Sequence, residues 1–239
     1  MLIFLDLETT GLEELDKICA IGIIAVDAVG TTVKYDLVNE GKKISSKASS
    51  VNHITNEMLK EKPKLKDSEV YKFLEEHNCE ESIIVAHNVK FDIKMLEFSG
   101  FVWRGKIIDT LRVTKHLIPE CEYFSLQFLR YELKLYRNES REISSFSLLA
   151  ENNIFEHKAL HDVLIVKLLY KYLLEIEPQS RLIELSLKKV LMQKVGFGKY
   201  ADMHIEEISI YDRTYLEWML YNIADIDEDL RYSIEYYLN

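Results

Sequence analysis

The sequence holds no apolar run long enough to cross a bilayer; its best candidate, LIVKLLYKYLL, is broken by Lys167 and Lys171. A secretory leader is not expected either, because Asp6 and Glu8 arrive before an apolar segment can form. Cysteine is scarce. Cys19, Cys79 and Cys121 make neither a close pair nor a metal-type spacing, which leaves no disulfide framework and points to a reducing, cytoplasmic compartment. Internal repeats and low-complexity tracts are missing. Basic charge is also short: 30 Lys and Arg stand against 40 Asp and Glu, a formal charge of −10. That balance argues against a long electrostatic track for duplex nucleic acid. The shortage is uneven, since ten acids face four basic residues from Val190 onward.

What is present is a globular composition and a chain of 239 residues, enough for one medium domain and a small module. MLIFLDLE reads as a strand with acids at period two, and KICAIGIIAV and TTVKYDLVN as the next strands of a meander, turned at Ala28-Val29-Gly30. Helices are expected over residues 54–61, with Thr55 as N-cap, and over 68–77. SIIVAHN is a compact strand, FDIKMLEFSG a helix stopped by Gly100, and KIIDTLRVTKHLI a strand feeding a helix closed by Pro119. SLQFLRYELKLY and the long HKALHDVLIVKLLYKYLLEI complete the helices, the second ending before Pro178. Strands first, then strands alternating with helices, predict an α/β domain over 1–178 around a mixed five-stranded sheet. A linker helix over 179–193 and a small α+β C-terminal module over 194–239 follow, with Asp212 and Asp227 as helix caps in the module.

Asp6 and Glu8 lie two apart on a strand, so they project from one face. Alone, such a pair reads as acids at a solvent-facing sheet edge. Asp92, after the strand SIIVAHN, and Asp162, near the start of the long helix, change the weighing. Four carboxylates can hold hard divalent cations, Mg²⁺ or Mn²⁺. Two such ions about 3.5–4 Å apart stabilise the attacking and leaving oxygens of a phosphodiester. A base is also needed, and His-x4-Asp occurs twice, at His87/Asp92 and His157/Asp162. Five residues of helix leave two side chains about 140° apart, so His157 suits the turn before the helix, where Asn152-Asn153 supports a loop. His161 is the local rival.

The ordered motifs FLDLETTGL, AHNVKFDIKML and HKALHDV resemble those of the DEDDh family of 3'→5' exonucleases. VNHITNEMLKEKP and IIDTL resemble two further segments of that family, with Asn52-His53 replacing the usual His-Gly and His161 standing where a small residue is common. The resemblance implies an RNase H-like fold, two divalent metal ions on Asp6, Glu8, Asp92 and Asp162, and His157 as general base. It also implies a terminal-nucleotide site lined by Thr9, Thr10, Gly11, Leu12, His53, Ile54, Asn88 and Phe91, with Leu12 and Phe91 placed to stack on a base or to lie in the core.

The tail, with Phe197-Gly198-Lys199 and Tyr215-Leu216-x-Trp218, resembles the module that follows the nuclease domain in exodeoxyribonuclease X-like proteins. Phe197, Lys199 and Tyr200 could contact nucleic acid or protein there, or pack a Gly-hinged hairpin on the helices. The expected activity is hydrolysis from single-stranded or frayed 3' ends of DNA to 5'-mononucleotides. The partners are nucleic-acid 3' ends and a DNA polymerase or other protein on the acidic module. RNA ends are the alternative substrate. An aspartyl-phosphate phosphatase lacks its later paired acids here, and a non-catalytic binding scaffold would have lost an acid, which this chain has not.

Overall fold

The computed structural model describes residues 1–146 and 158–239. Five strands, β1 (Leu2–Thr9), β2 (Ile18–Val26), β3 (Thr31–Leu37), β4 (Ile83–Ala86) and β5 (Lys106–Asp109), form one sheet in the order β3-β2-β1-β4-β5. β1 and β2, and β2 and β3, pair antiparallel, whereas β4 runs parallel to β1 and β5 parallel to β4. This is the mixed five-stranded α/β sheet expected from the sequence.

The helices are α1 (Ser46–Asn52), α2 (Asn56–Leu59), α3 (Glu69–Glu76), α4 (Val89–Phe98), α5 (Thr110–Leu117), α6 (Leu126–Glu132), α7 (Glu139–Ile143), α8 (Lys158–Leu174), α9 (Gln179–Leu187), α10 (Ile205–Tyr211), α11 (Arg213–Asn222) and α12 (Glu228–Leu238). Thr55, Asp212 and Asp227 cap α2, α11 and α12 through their side chains, as the sequence predicts. α1 is not anticipated by periodicity; Ser45 caps it, accepting the Ala48 N–H. The helix expected over SLQFLRYELKLY is shorter, because left-handed Lys134 (φ 56°) separates α6 from a 3-10 turn at Leu135–Asn138.

Two compact units divide the chain: residues 1–113 with 122–186, and residues 114–121 with 187–239. α9, within the sequence segment read as a linker, packs into the first unit, where Ser186 Oγ accepts the Asp109 N–H at 2.8 Å. The second unit differs from an α+β module. Among the described residues its only β pairing is an isolated bridge between Lys194 and His204, and its core is helical, built on Val195, Ile205, Ile208, Leu216, Met219, Leu230 and Ile234.

β1 has two buried faces. Ile3, Leu5 and Leu7 belong to a core with Val70 and Leu74 of α3 and Met95 and Leu96 of α4. Phe4, on the other face, meets Tyr170 of α8 edge-on at 5.4 Å. Asp6 and Glu8 continue the Phe4 face toward the strand's C-terminal end. Among the described residues, no helix is long and apolar enough to cross a membrane.

Candidate active site

Asp6 pairs in register with Gly22 of β2. A Cβ at Gly22 would stand 3.3 Å from Leu160 Cδ2 and 3.4 Å from the Ala159 backbone. The missing side chain thus lets the first turn of α8 lie directly on the sheet beside Asp6, and Asp162 follows at the start of the next turn. Carboxylate oxygens of Asp6, Glu8 and Asp162 lie within 4.8 Å of one another. Asp92, in the first turn of α4, is buried, and its charge acts on Asp6, but it does not join that tight group of three. The four predicted ligands therefore converge as three plus one.

Crowded like charges leave a thermodynamic mark. Desolvation, followed by the charges of Asp92, Asp162 and Glu8, raises the Asp6 pKa well above the usual carboxylate value. Desolvation also raises Glu8, against the opposing charge of Lys158, and raises Asp92 well above its ordinary value. Lys158, which the sequence reading passes over, puts its Nζ 3.1 Å from Glu8 Oε1 and 3.7 Å from Asp162 Oδ2. Burial works against its charge, but Glu8 and Asp162 hold its pKa above the usual lysine value. Gln127 of α6 donates from Nε2 to Asp162 Oδ1 at 2.7 Å, a second contact that no motif signals.

The donor set is all hard oxygen and carries excess negative charge, which fits a divalent cation. Asp6, Glu8 and Asp162 would hold it, with Asp92 alongside.

Asp109 at the end of β5 is 1% exposed and works from behind. Its Oδ1 accepts the backbone N–H groups of Asn88 (3.1 Å), Leu111 (3.0 Å) and Arg112 (3.2 Å). Asn88 is left-handed (φ 74°) and precedes α4, so this carboxylate ties the start of the Asp92 helix to the sheet. The motif IIDTL points to the position without giving its role.

The residues expected around a terminal nucleotide separate into groups. Thr9 and Thr10 are buried: Thr9 Oγ1 donates to the Gly11 carbonyl, and Thr10 Oγ1 to Asp16 at 2.7 Å. Gly11 has no room for a side chain, because a Cβ would run into the Asp16 carboxylate. Leu12 is 81% exposed, so it is not core. His53 is exposed and left-handed (φ 59°) at the end of α1, and its charge reaches Glu8. Asn88 is exposed, whereas Phe91 packs partly against the core. Ile54 is buried with Cys19, Ala20, Ile44 and Leu59, so its side chain serves the core instead. Asn52 beside it, buried, donates to the Thr9 carbonyl at 3.2 Å and fixes this corner. His157, the expected base, and the Asn152-Asn153 loop lie outside the described residues. His161 Nε2 stands 3.6 Å from Glu139, which Arg130 grips through both carboxylate oxygens. In the second unit, Lys199 and Tyr200 both contact Asp212, at 3.0 and 2.8 Å, and Phe197 is half exposed.

Residues 3–170 match the exonuclease family. The chain belongs to that family. With its ordered acidic motifs it is a DEDDh-type exonuclease, and exonucleases of this family depend on divalent metal ions. Exodeoxyribonuclease 10 of Escherichia coli K12 is 25% identical over 244 residues, covering 100% of this chain and 99% of that protein. The PolC-type DNA polymerase III of Thermotoga maritima is 35% identical over 130 residues, 51% of this exonuclease but 9% of the polymerase. Among solved structures, exonuclease X in complex with 5' overhanging duplex DNA superposes with a TM-score of 0.59 at 23% identity, covering 78% of this chain and 99% of that one, a likeness of fold.

Proposed function

We propose that this exonuclease hydrolyses DNA from its 3' end, on single strands or frayed ends, and releases 5'-mononucleotides. The observation that carries the reading is the convergence of Asp6, Glu8 and Asp162 within 4.8 Å, beside Asp92, in a chain of the exonuclease family. Likeness over the whole length to an exodeoxyribonuclease supports DNA as the substrate.

Asp6, Glu8, Asp92 and Asp162 would hold two divalent ions, Mg²⁺ or Mn²⁺, whose charge would activate water and screen the phosphate. The protein's own share is positioning. The Phe4 face of β1 aims Asp6 and Glu8, Gly22 lets α8 bring Asp162 close, and Asp109 anchors the helix of Asp92. His157 takes the proton from the attacking water. Exposed Leu12 and partly buried Phe91 flank the terminal base, with Asn88 exposed just before the helix of Asp92 and His53 exposed at the end of α1. Thr9, Thr10 and Gly11 shape the turn beneath it and offer backbone groups to the sugar or phosphate. Three scattered cysteines, Cys19, Cys79 and Cys121, without a close pair or metal-type spacing, suit a reducing cytoplasm.

Matched DNA and RNA oligonucleotides, labelled at either end and incubated with Mg²⁺ or Mn²⁺, test the proposal. Mononucleotide release from unblocked DNA 3' ends is expected. Release from RNA alone would move the assignment to an exoribonuclease, and no release from either in both metals would overturn it.

A further inference from the structure

The acidic cluster carries its own cation. Lys158 opens α8, and its ammonium sits between Glu8 and Asp162, two of the three acids whose oxygens converge. It takes a hydrogen bond's share of Glu8 Oε1 and approaches Asp162 Oδ2, while Gln127 holds Asp162 Oδ1. These contacts fall on two of the carboxylates a divalent ion would use. A lysine ammonium is a compact point charge on a flexible four-carbon stem, able to stand in for a metal's charge but not for its several coordination bonds. The side chain is 36% exposed, so it has solvent to swing into when displaced.

We propose that Lys158 is a built-in competitor for the metal: it neutralises Glu8 and Asp162 while metal is scarce, and must leave before an ion can bind. The inference rests on the reading of these acids as the metal site. Its consequence is regulatory. The lysine keeps the crowded carboxylates together in the metal-free chain, and it raises the divalent-ion concentration the nuclease needs. A neutral side chain at 158 removes the positive charge that stands 3.1 Å from Glu8 Oε1 and 3.7 Å from Asp162 Oδ2, so that an incoming ion no longer has to displace it; at the effective dielectric of a partly buried site this changes affinity by about tenfold or more.

The test is Mn²⁺ binding by the full chain, read as free Mn²⁺ by electron paramagnetic resonance. Wild type, Lys158→Gln and Lys158→Arg are compared. Lys158→Gln is expected to bind Mn²⁺ about tenfold more tightly, and to melt at a lower temperature than wild type without metal but not with it; Lys158→Arg stays close to wild type. Equal or weaker binding by Lys158→Gln overturns the inference while leaving the metal site intact. Absence of Mn²⁺ binding by wild type overturns the metal reading, and this inference with it. A second measurement needs no variant: acetylation of Lys158 in the wild-type chain, followed by mass spectrometry, is expected to speed up when Mn²⁺ is added. Unchanged or slower labelling overturns the proposal.

Discussion

Asp109 Oδ1 accepts the Asn88 N–H at 3.1 Å, joining the end of β5 to the left-handed residue from which the Asp92 helix starts. One carboxylate oxygen thereby serves two helix N-termini, since it also receives Leu111 and Arg112 of α5. Asp109→Ala leaves three N–H groups without this acceptor and is expected to cost about 2–3 kcal/mol, in the range of a lost cap plus unsatisfied buried donors. Asp109→Asn keeps an acceptor and costs less. Urea denaturation measures both, and an alanine variant as stable as wild type would contradict the anchoring role.

Asp6→Asn and Asp162→Asn are expected to lower exonuclease turnover by more than about 100-fold, beyond the usual effect of losing a supporting contact around a metal. They should nevertheless fold. Asp6→Asn removes a charge repelled by Asp92, Asp162 and Glu8, so its metal-free melting temperature should equal or exceed that of wild type. A sharp fall in that temperature would show the acid to be structural.

The raised pKa values of Asp6, Glu8 and Asp92 fix a pH dependence. Between the unfolded carboxylate values and the raised folded ones, the native state binds more protons than the unfolded state. Stability without metal therefore falls as pH rises through that window, the reverse of an ion-paired acid. Divalent ions should oppose the loss, so the rise in melting temperature on adding Mg²⁺ is expected to be larger at pH 7 than near pH 5. Scanning calorimetry in chelator and in Mg²⁺ measures both curves; a metal effect that grows on acidification would refute the charge-crowding account.

Gly22→Val should separate activity from stability. The added atoms push on Leu160 and Ala159, at a cost of about 1–3 kcal/mol for overpacking. Shifting the first turn of α8 also carries Asp162 away from Asp6. The exonuclease rate is expected to fall by a larger factor than the unfolding equilibrium changes, as judged by parallel denaturation and single-turnover assays.

The two histidines of HKALHD should behave differently. His157→Ala is expected to slow hydrolysis by about 10²–10⁴-fold, the range for a lost general base. His161, within 3.6 Å of Glu139, is expected to tolerate alanine with little loss of rate. Reversed effects would exchange the two roles.

The sequence by itself determined the strand meander, the capped helices at Thr55, Asp212 and Asp227, and the acids at Asp6, Glu8, Asp92 and Asp162, because period-two alternation, caps and short spacings are local properties of a chain. It left Leu12 and Phe91 open between core and surface, and it placed Ile54 by analogy beside the substrate. Only the tertiary structure exposed Leu12, packed Phe91 partly against the core and turned Ile54 inward. It also decided that Gly22, outside every motif, leaves the room in which Ala159 and Leu160 at the start of α8 pack against β2. Lys158, Gln127 and Asp109 gain their roles from neighbours tens to more than a hundred residues away, as in the 150 positions between Lys158 and Glu8. Such pairings arise when helices pack on a sheet, and no periodicity within a single segment encodes them.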